Sequence, residues 1–186
     1  KDNSSNKEVY VRIPNLEIKK CFKNDIQKRF DVVVKKDSLA LNIANALLEG
    51  NVDFVQNKLG PLLRSFVSIR DTATRAPHEN YYHGFLNGIF TNCKDNLGEY
   101  HSYFESGDGY ADILFKDIDC RKVAIIEIKS ASIGSDIETL SEKAISQIID
   151  KNYAEPLMSN KTVKHIYGYG IAFARKSCFI SVKKIK

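Results

Sequence analysis

Apolar positions along this chain change period, and each change marks an element. Ile18, Phe22, Ile26 and Phe30 recur every four residues, an amphipathic helix behind a short alternating strand at 9–13 and an Asn15 N-cap. A second helix is predicted over 39–48, capped by Ser38 and stopped by Gly50. Val52, Val55, Leu59, Leu62, Leu63, Phe66 and Val67 continue the helical spacing, with a break expected at Gly60-Pro61. Residues 1–8 are polar and expected to be disordered, and residues 1–70 read as a mostly helical segment. After a linker-like stretch at 72–77, Tyr82, Phe85, Leu86, Ile89 and Phe90 form a strong helical stripe, with Glu79 phased toward the same side. The period then shortens to two. Strands are predicted over 99–105, 111–115 and 123–129, with a turn at Ser106-Gly107-Asp108-Gly109. Ser135 to Glu138 reads as a capping box opening a helix that carries Ile137, Leu140, Ala144, Gln147 and Ile148, in a region ended by Pro156. Strands over 165–174 and 178–182 close the chain, and Gly168 and Gly170 invite close helix packing. The order from residue 78 is α-β-β-β-α-β-β, an α/β fold with a mixed sheet flanked by helices.

Two of these strands contain charge where apolar residues are expected. Asp112 sits in Ala111-Asp112-Ile113-Leu114-Phe115, and Glu127 and Lys129 close the run that starts at Val123. A carboxylate in an apolar strand is costly unless paired or bound to a cation. If the two runs form a hairpin symmetric about the polar link 116–122, Asp112 falls opposite or nearly opposite Glu127, with Cβ atoms about 4.5–5.5 Å apart. Alternation puts Lys129 on the Glu127 face. Two close carboxylates repel, and oxygen ligands of this kind suit Mg²⁺ or Mn²⁺. A lysine beside them can hold an anionic oxygen or orient a water, which is the equipment of a phosphodiesterase. A salt-bridge cluster on an edge hairpin is the competing reading of the same three residues.

Composition narrows the setting. With 43% hydrophobic and 27% charged residues, the 186-residue chain has an ordinary globular balance. It shows no bilayer-length apolar run and no visible signal peptide, so no membrane association is expected. Cys21, Cys93, Cys120 and Cys178 lack zinc or disulfide spacing, which suggests a reducing, cytoplasmic location. The net charge of +5 suits a polyanionic partner. Lys19, Lys20, Lys23, Lys28, Arg29, Lys35 and Lys36 form one basic segment, and Arg175, Lys176, Lys183, Lys184 and Lys186 another. Each reads equally as a phosphate contact or as a solvated face. His78, His101 and His165 show no ligand spacing, and His83 is left out of the site.

The element order, with acidic residues on the second and third strands, resembles the PD-(D/E)XK nuclease superfamily, with Ala111 at the position of the family's Pro. Within it, Glu79 to Leu86, Ser106 to Asp112, Ile125 to Lys129 and Ala144 to Tyr153 are similar to successive motifs of one branch. That branch lies C-terminal to AAA-ATPase-like domains in bacterial proteins, and Ile13 to Glu17 resembles its joining segment. Many of its members carry Arg where Tyr110 stands, and no P-loop is present here. The resemblance implies a restriction-endonuclease-like αβββαβ core over 71–186. It also implies a metal-dependent nuclease, acting on DNA, that uses Mg²⁺ or Mn²⁺ and a metal-activated water. Asp112 and Glu127 would be metal ligands, and Glu79 would extend the metal shell. Lys129 would position the water or stabilise the phosphorane. Gln147 would orient Lys129, the water or a nucleotide group, while Tyr153 reads first as a core residue.

Two further readings accompany this one. A catalytically inactive module on the same fold would bind nucleic acid or a protein partner, and that binding would survive loss of Asp112. Alternatively the chain, which starts at Lys1, is the nuclease end of a larger toxin or effector.

Overall fold

The computed structural model describes residues 38–67, 78–131 and 135–186. The expected strand at 9–13, the Asn15 cap, the helix at 18–30, the first basic segment and the 72–77 linker lie outside them. Helices α1 (Leu39–Leu48) and α2 (Val52–Phe66) come first, then α3 (His78–Phe90) and a 3-10 turn. Strands β1 (Glu99–Ser106), β2 (Gly109–Lys116) and β3 (Lys122–Ser130) follow, then α4 (Ile137–Asp150) and the short α5 (Glu155–Met158). The described chain finishes with β4 (His165–Ala174) and β5 (Ser177–Lys184). The α-β-β-β-α-β-β order read from periodicity is present, with α5 added. Among the described residues, no helix is long and apolar enough to cross a membrane.

The five strands form one mixed sheet in the order β1-β2-β3-β4-β5. Only β3 and β4 are parallel; α4 and α5 lie in the connection between them. A parallel pair needs such a crossover and is usually covered on both faces. Both coverings are visible in β3, where Val123 to Ile128 are all buried. Ala124, Ile126 and Ile128 pack with apolar residues of α1, α2 and α3. Val123 and Ile125 pack with Ile148 of α4 and Leu157 of α5. The helices of the N-terminal segment that are described thus share a core with the sheet.

Four local expectations are corrected. Helix α2 runs through Pro61 instead of breaking there. An interior proline costs about 3 kcal/mol, yet burying each leucine beyond it returns about 1.5–3 kcal/mol. Leu62 and Leu63 are both buried, while Asn57, whose carbonyl loses its partner, is exposed to water. Ser38 precedes α1 but does not cap it: its backbone is left-handed, φ 52°, and its side chain makes no cap hydrogen bond. Asp136, not Ser135, caps α4, accepting from the Glu138 and Thr139 amides. Pro156 sits in the first turn of α5, where its missing N–H costs nothing, and so begins an element rather than ending one.

Two glycines position the elements that bear the candidate site. A Cβ on Gly170 would stand 1.9 Å from the Ser141 carbonyl oxygen and 2.9 Å from Ala144 Cβ, so α4 lies almost on the backbone of β4. Ser141 and Ser181 hydroxyls meet at 2.6 Å beside this contact. Gly107, at φ +56°, turns β1 into β2 directly against the end of α4, where a Cβ would be 2.2 Å from the Lys151 carbonyl oxygen. The Asp108 amide donates to that carbonyl at 2.9 Å. Ser106 Oγ donates to the Tyr153 carbonyl at 2.7 Å, so the hairpin tip is tied to the helix that carries Gln147.

Candidate active site

The β2–β3 ladder runs from Lys116↔Val123 to Ile113↔Ile126 and ends there. The same register would pair Asp112 with Glu127, as the symmetric hairpin predicts. At that step the Asp112 side chain replaces the main chain: Oδ2 accepts the Ile128 amide at 2.7 Å. A ladder donor is thereby satisfied by a carboxylate, which is held at the mouth opened between the strands.

The neighbouring strand changes conformation at the same level. β1 pairs with β2 on either side, but no pair forms between Tyr103 and Asp112. Tyr103 is left-handed, φ 56°. Both strands switch faces here. Tyr100 packs on the α1–α3 side and Phe104 on the α4–α5 side, although both positions are even. In β2, Ala111 packs with α4 and α5 while Ile113 packs with α1 to α3. Regular alternation would give each strand's pair the same face.

His83 secures this irregularity from α3. Its Nε2 lies 3.1 Å from the Asp112 carbonyl oxygen, which can only accept, so Nε2 carries the proton. Nδ1 then accepts from Asn87 Nδ2 at 3.2 Å, and Asn87 Oδ1 accepts from the Tyr100 hydroxyl. Ser102 Oγ lies 3.1 Å from both His83 Nε2 and Asn87 Nδ2. Sequence reasoning missed His83, Asn87, Ser102 and Tyr103. Only the four-residue spacing from Glu79 to His83, which puts both on one helix face, pointed to any of them.

Glu127 and Lys129 share a face as alternation requires, with Lys129 Nζ 3.0 Å from Glu127 Oε1. Glu127 is 3% exposed, and its Oε2 is buried without a hydrogen-bond partner. Burial, followed by the Asp112 charge, pushes its carboxyl up to about 7 despite Lys129. Burial also raises Asp112, against the opposing Ile128 amide and the Lys129 charge. For Lys129, burial alone would favour the neutral amine. The bond to Glu127 and the charges of Glu127, Glu79 and Asp112 outweigh it and raise the pKa.

Glu79 and Gln147 flank this cluster. Glu79 is exposed at the start of α3, with Oε1 3.4 Å from the Ser130 amide nitrogen at the end of β3. Its charge acts on Asp112, Glu127 and Lys129. Gln147 Nε2 donates to the Tyr153 hydroxyl at 3.2 Å. Tyr153 is buried, and the charges of Glu127, Asp112 and Lys129 all act on it. The core reading of Tyr153 holds, while its hydroxyl reaches the Gln147 side of the cluster.

Among the described residues, no group of three or more His, Cys, Asp or Glu side chains is placed to hold a metal ion. The pair Asp112 and Glu127 nevertheless has the chemistry of a hard-cation site. The two carboxylates repel, and a buried oxygen of one has no partner. A divalent cation would satisfy that oxygen and relieve the repulsion.

A stability prediction follows from the sign of the Glu127 shift. Its folded-state value is raised, so stability associated with the bound proton is complete below about 4.5 and is lost as pH rises to about 7. In metal-free buffer, Glu127→Gln removes that loss. The variant is expected to be more stable than the parent at pH 8, by on the order of 1–3 kcal/mol, and to converge with it toward pH 4.5. Urea unfolding at the two pH values measures the difference; a parent that gains stability from pH 5 to 8 relative to the variant would contradict it.

No curated protein matches the chain. A match is found at the level of a family: residues 77–183, more than half of the chain, fit the model of the PD-(D/E)XK nuclease superfamily, and this stretch holds β1 to β4 and all of β5 but its last residue. The chain therefore belongs to the PD-(D/E)XK nuclease superfamily.

Proposed function

We propose that this chain is a metal-dependent nuclease that hydrolyses phosphodiester bonds in DNA. The observation that carries the reading is the Asp112, Glu127 and Lys129 cluster at the point where β2 and β3 separate, with one Glu127 oxygen buried and unpartnered. Nucleases of this superfamily typically use divalent metals. Asp112 and Glu127 would hold the ion, with Glu79 approaching from α3. The bound Mg²⁺ or Mn²⁺ would supply charge neutralisation at the phosphate and an acidified water.

The chain's own residues have separable tasks in this scheme. The Ile128 amide and the His83 contact to the main chain hold Asp112, so its carboxylate does not have to be ordered when substrate arrives. Lys129 stays protonated beside Glu127 and would stabilise negative charge on a phosphoryl oxygen. Gln147, braced by Tyr153, would orient Lys129 or a nucleotide group. The motif order supports membership of the branch associated with AAA-ATPase-like domains, and its setting would be cytoplasmic.

Calorimetric titration with Mn²⁺ tests the metal site. The parent is expected to bind and Asp112→Asn to lose binding. Because Glu127 must release a proton to ligate, affinity should rise by up to about tenfold per pH unit from pH 5 to about 7 and then level off. Equal Mn²⁺ affinity in parent and variant, or affinity independent of pH over this interval, would overturn the assignment. Nucleic-acid binding that survives Asp112→Asn without any metal-dependent cleavage by the parent would instead identify an inactive binding module.

A further inference from the structure

We propose that Tyr103 is a nucleobase-stacking residue and that the site accepts single-stranded or splayed nucleic acid. This deepens the nuclease reading and rests on it. Tyr103 lies in the interior of β1 yet holds a left-handed backbone, which costs an aromatic residue about 1–2 kcal/mol. Such strain persists where the surroundings impose it and clusters at functional sites. Here the surroundings are the unpaired step opposite Asp112 and the buried His83. The Tyr103 and His83 ring centroids are 4.1 Å apart at 32°. His83 is in turn bonded to Asn87, Ser102 and the Asp112 carbonyl, so the tyrosine rests on a fixed support.

Despite this anchoring, Tyr103 is 52% exposed. A ring serving only the core would be covered. Tyr110, two residues before Asp112 on β2, is the second exposed aromatic next to the site, at 56%. An exposed ring held rigidly beside a phosphodiester site has one obvious ligand in a nucleic acid: the π-face of a base. In a duplex those faces are already stacked on their neighbours, whereas an unpaired base presents one freely. Base–aromatic stacking tolerates any sequence, so this device selects strandedness rather than sequence.

The competing explanation is that Tyr103 merely covers His83. Tyr103→Leu separates the two, since leucine covers the imidazole but cannot stack a base, and Tyr103→Phe restores stacking without the hydroxyl. Binding is measured by fluorescence anisotropy in EDTA, where no cleavage occurs. The probes are a labelled single-stranded oligodeoxynucleotide and the same sequence as a blunt duplex. The parent is expected to bind the single strand more tightly than the duplex. Tyr103→Leu should weaken single-strand binding by about 5- to 150-fold, Tyr103→Phe should match the parent, and duplex binding should be unchanged in both. Unchanged single-strand affinity in Tyr103→Leu, or an equal fall for both probes, would overturn the stacking role. A parent that prefers the duplex would overturn the substrate class. Cleavage by a parent with no Tyr103 effect would leave the nuclease reading intact, whereas a parent that binds neither probe and cleaves nothing would remove both.

Discussion

Lys129→Ala is expected to lower metal-dependent cleavage by on the order of 10²–10³-fold while leaving Mn²⁺ binding at pH 8 undiminished. The two effects separate because the lysine bonds to a ligand without being one. Its Nζ is 3.0 Å from Glu127 Oε1, and its charge acts on both carboxylates. Removing that charge leaves the acidic pair more negative, which favours a divalent cation once Glu127 has ionised. It also deepens the proton affinity of Glu127, so the variant's metal binding should weaken relative to the parent's as pH falls below about 7. Cleavage suffers because the positive group facing a phosphoryl oxygen is gone. Calorimetry at pH 8 alongside single-turnover cleavage measures both quantities. A variant that loses metal binding and cleavage together would show Lys129 to be chiefly structural.

Gly170→Val should abolish the folded state or leave it severely destabilised, by more than about 4 kcal/mol. The Cβ alone would enter to 1.9 Å from the Ser141 carbonyl oxygen and 2.9 Å from Ala144 Cβ, both on the body of α4. That obstruction is backbone, so no rotamer change removes it. Separation of α4 from β4 would also open the Ser141–Ser181 contact and uncover Ile148, which sits in the core on this face. Circular dichroism and thermal unfolding test this; a variant melting within a few degrees of the parent would mean that the helix approaches less closely. Gly84→Ala provides the contrast, because a Cβ there meets nothing within 4 Å.

These two predictions draw on features the sequence showed to different degrees. Period-two alternation and a polar link of ordinary length brought Asp112 to the level of Glu127, since hairpin register depends on local spacing. The Gly168 and Gly170 pair announced a close helix because small residues in a strand seldom have another use. The ladder break at Asp112 was hidden. It depends on the His83, Asn87 and Tyr100 network, whose members lie on α3 and β1, and on a left-handed tyrosine that no local rule anticipates. Pro61 misled for a related reason: a local propensity was overridden by burial of Leu62 and Leu63 against distant elements. At α4, two adjacent residues could both cap, and the Asp136 side chain took the amides that Ser135 was expected to serve.

The site itself was legible as chemistry more than as geometry. Asp112, Glu127 and Lys129 were identifiable because charge inside apolar strands is costly without a purpose. Sequence could not show that Glu127 keeps one oxygen buried without a partner, or that its proton is held up to about 7. Both come from how tightly β3 is enclosed between the helical layers. The Gln147–Tyr153 bond arises in the same way, from the turn that ends α4 and brings residue 153 back beneath residue 147.

The most direct test of the nuclease account is a plasmid-nicking assay of the parent and Lys129→Ala, side by side, with Mg²⁺ or Mn²⁺ and with EDTA. The account predicts that the parent nicks DNA only when the cation is present and that Lys129→Ala, folded to the same melting temperature, leaves the plasmid supercoiled. Equal nicking by both proteins, or parent activity that persists in EDTA, would contradict it.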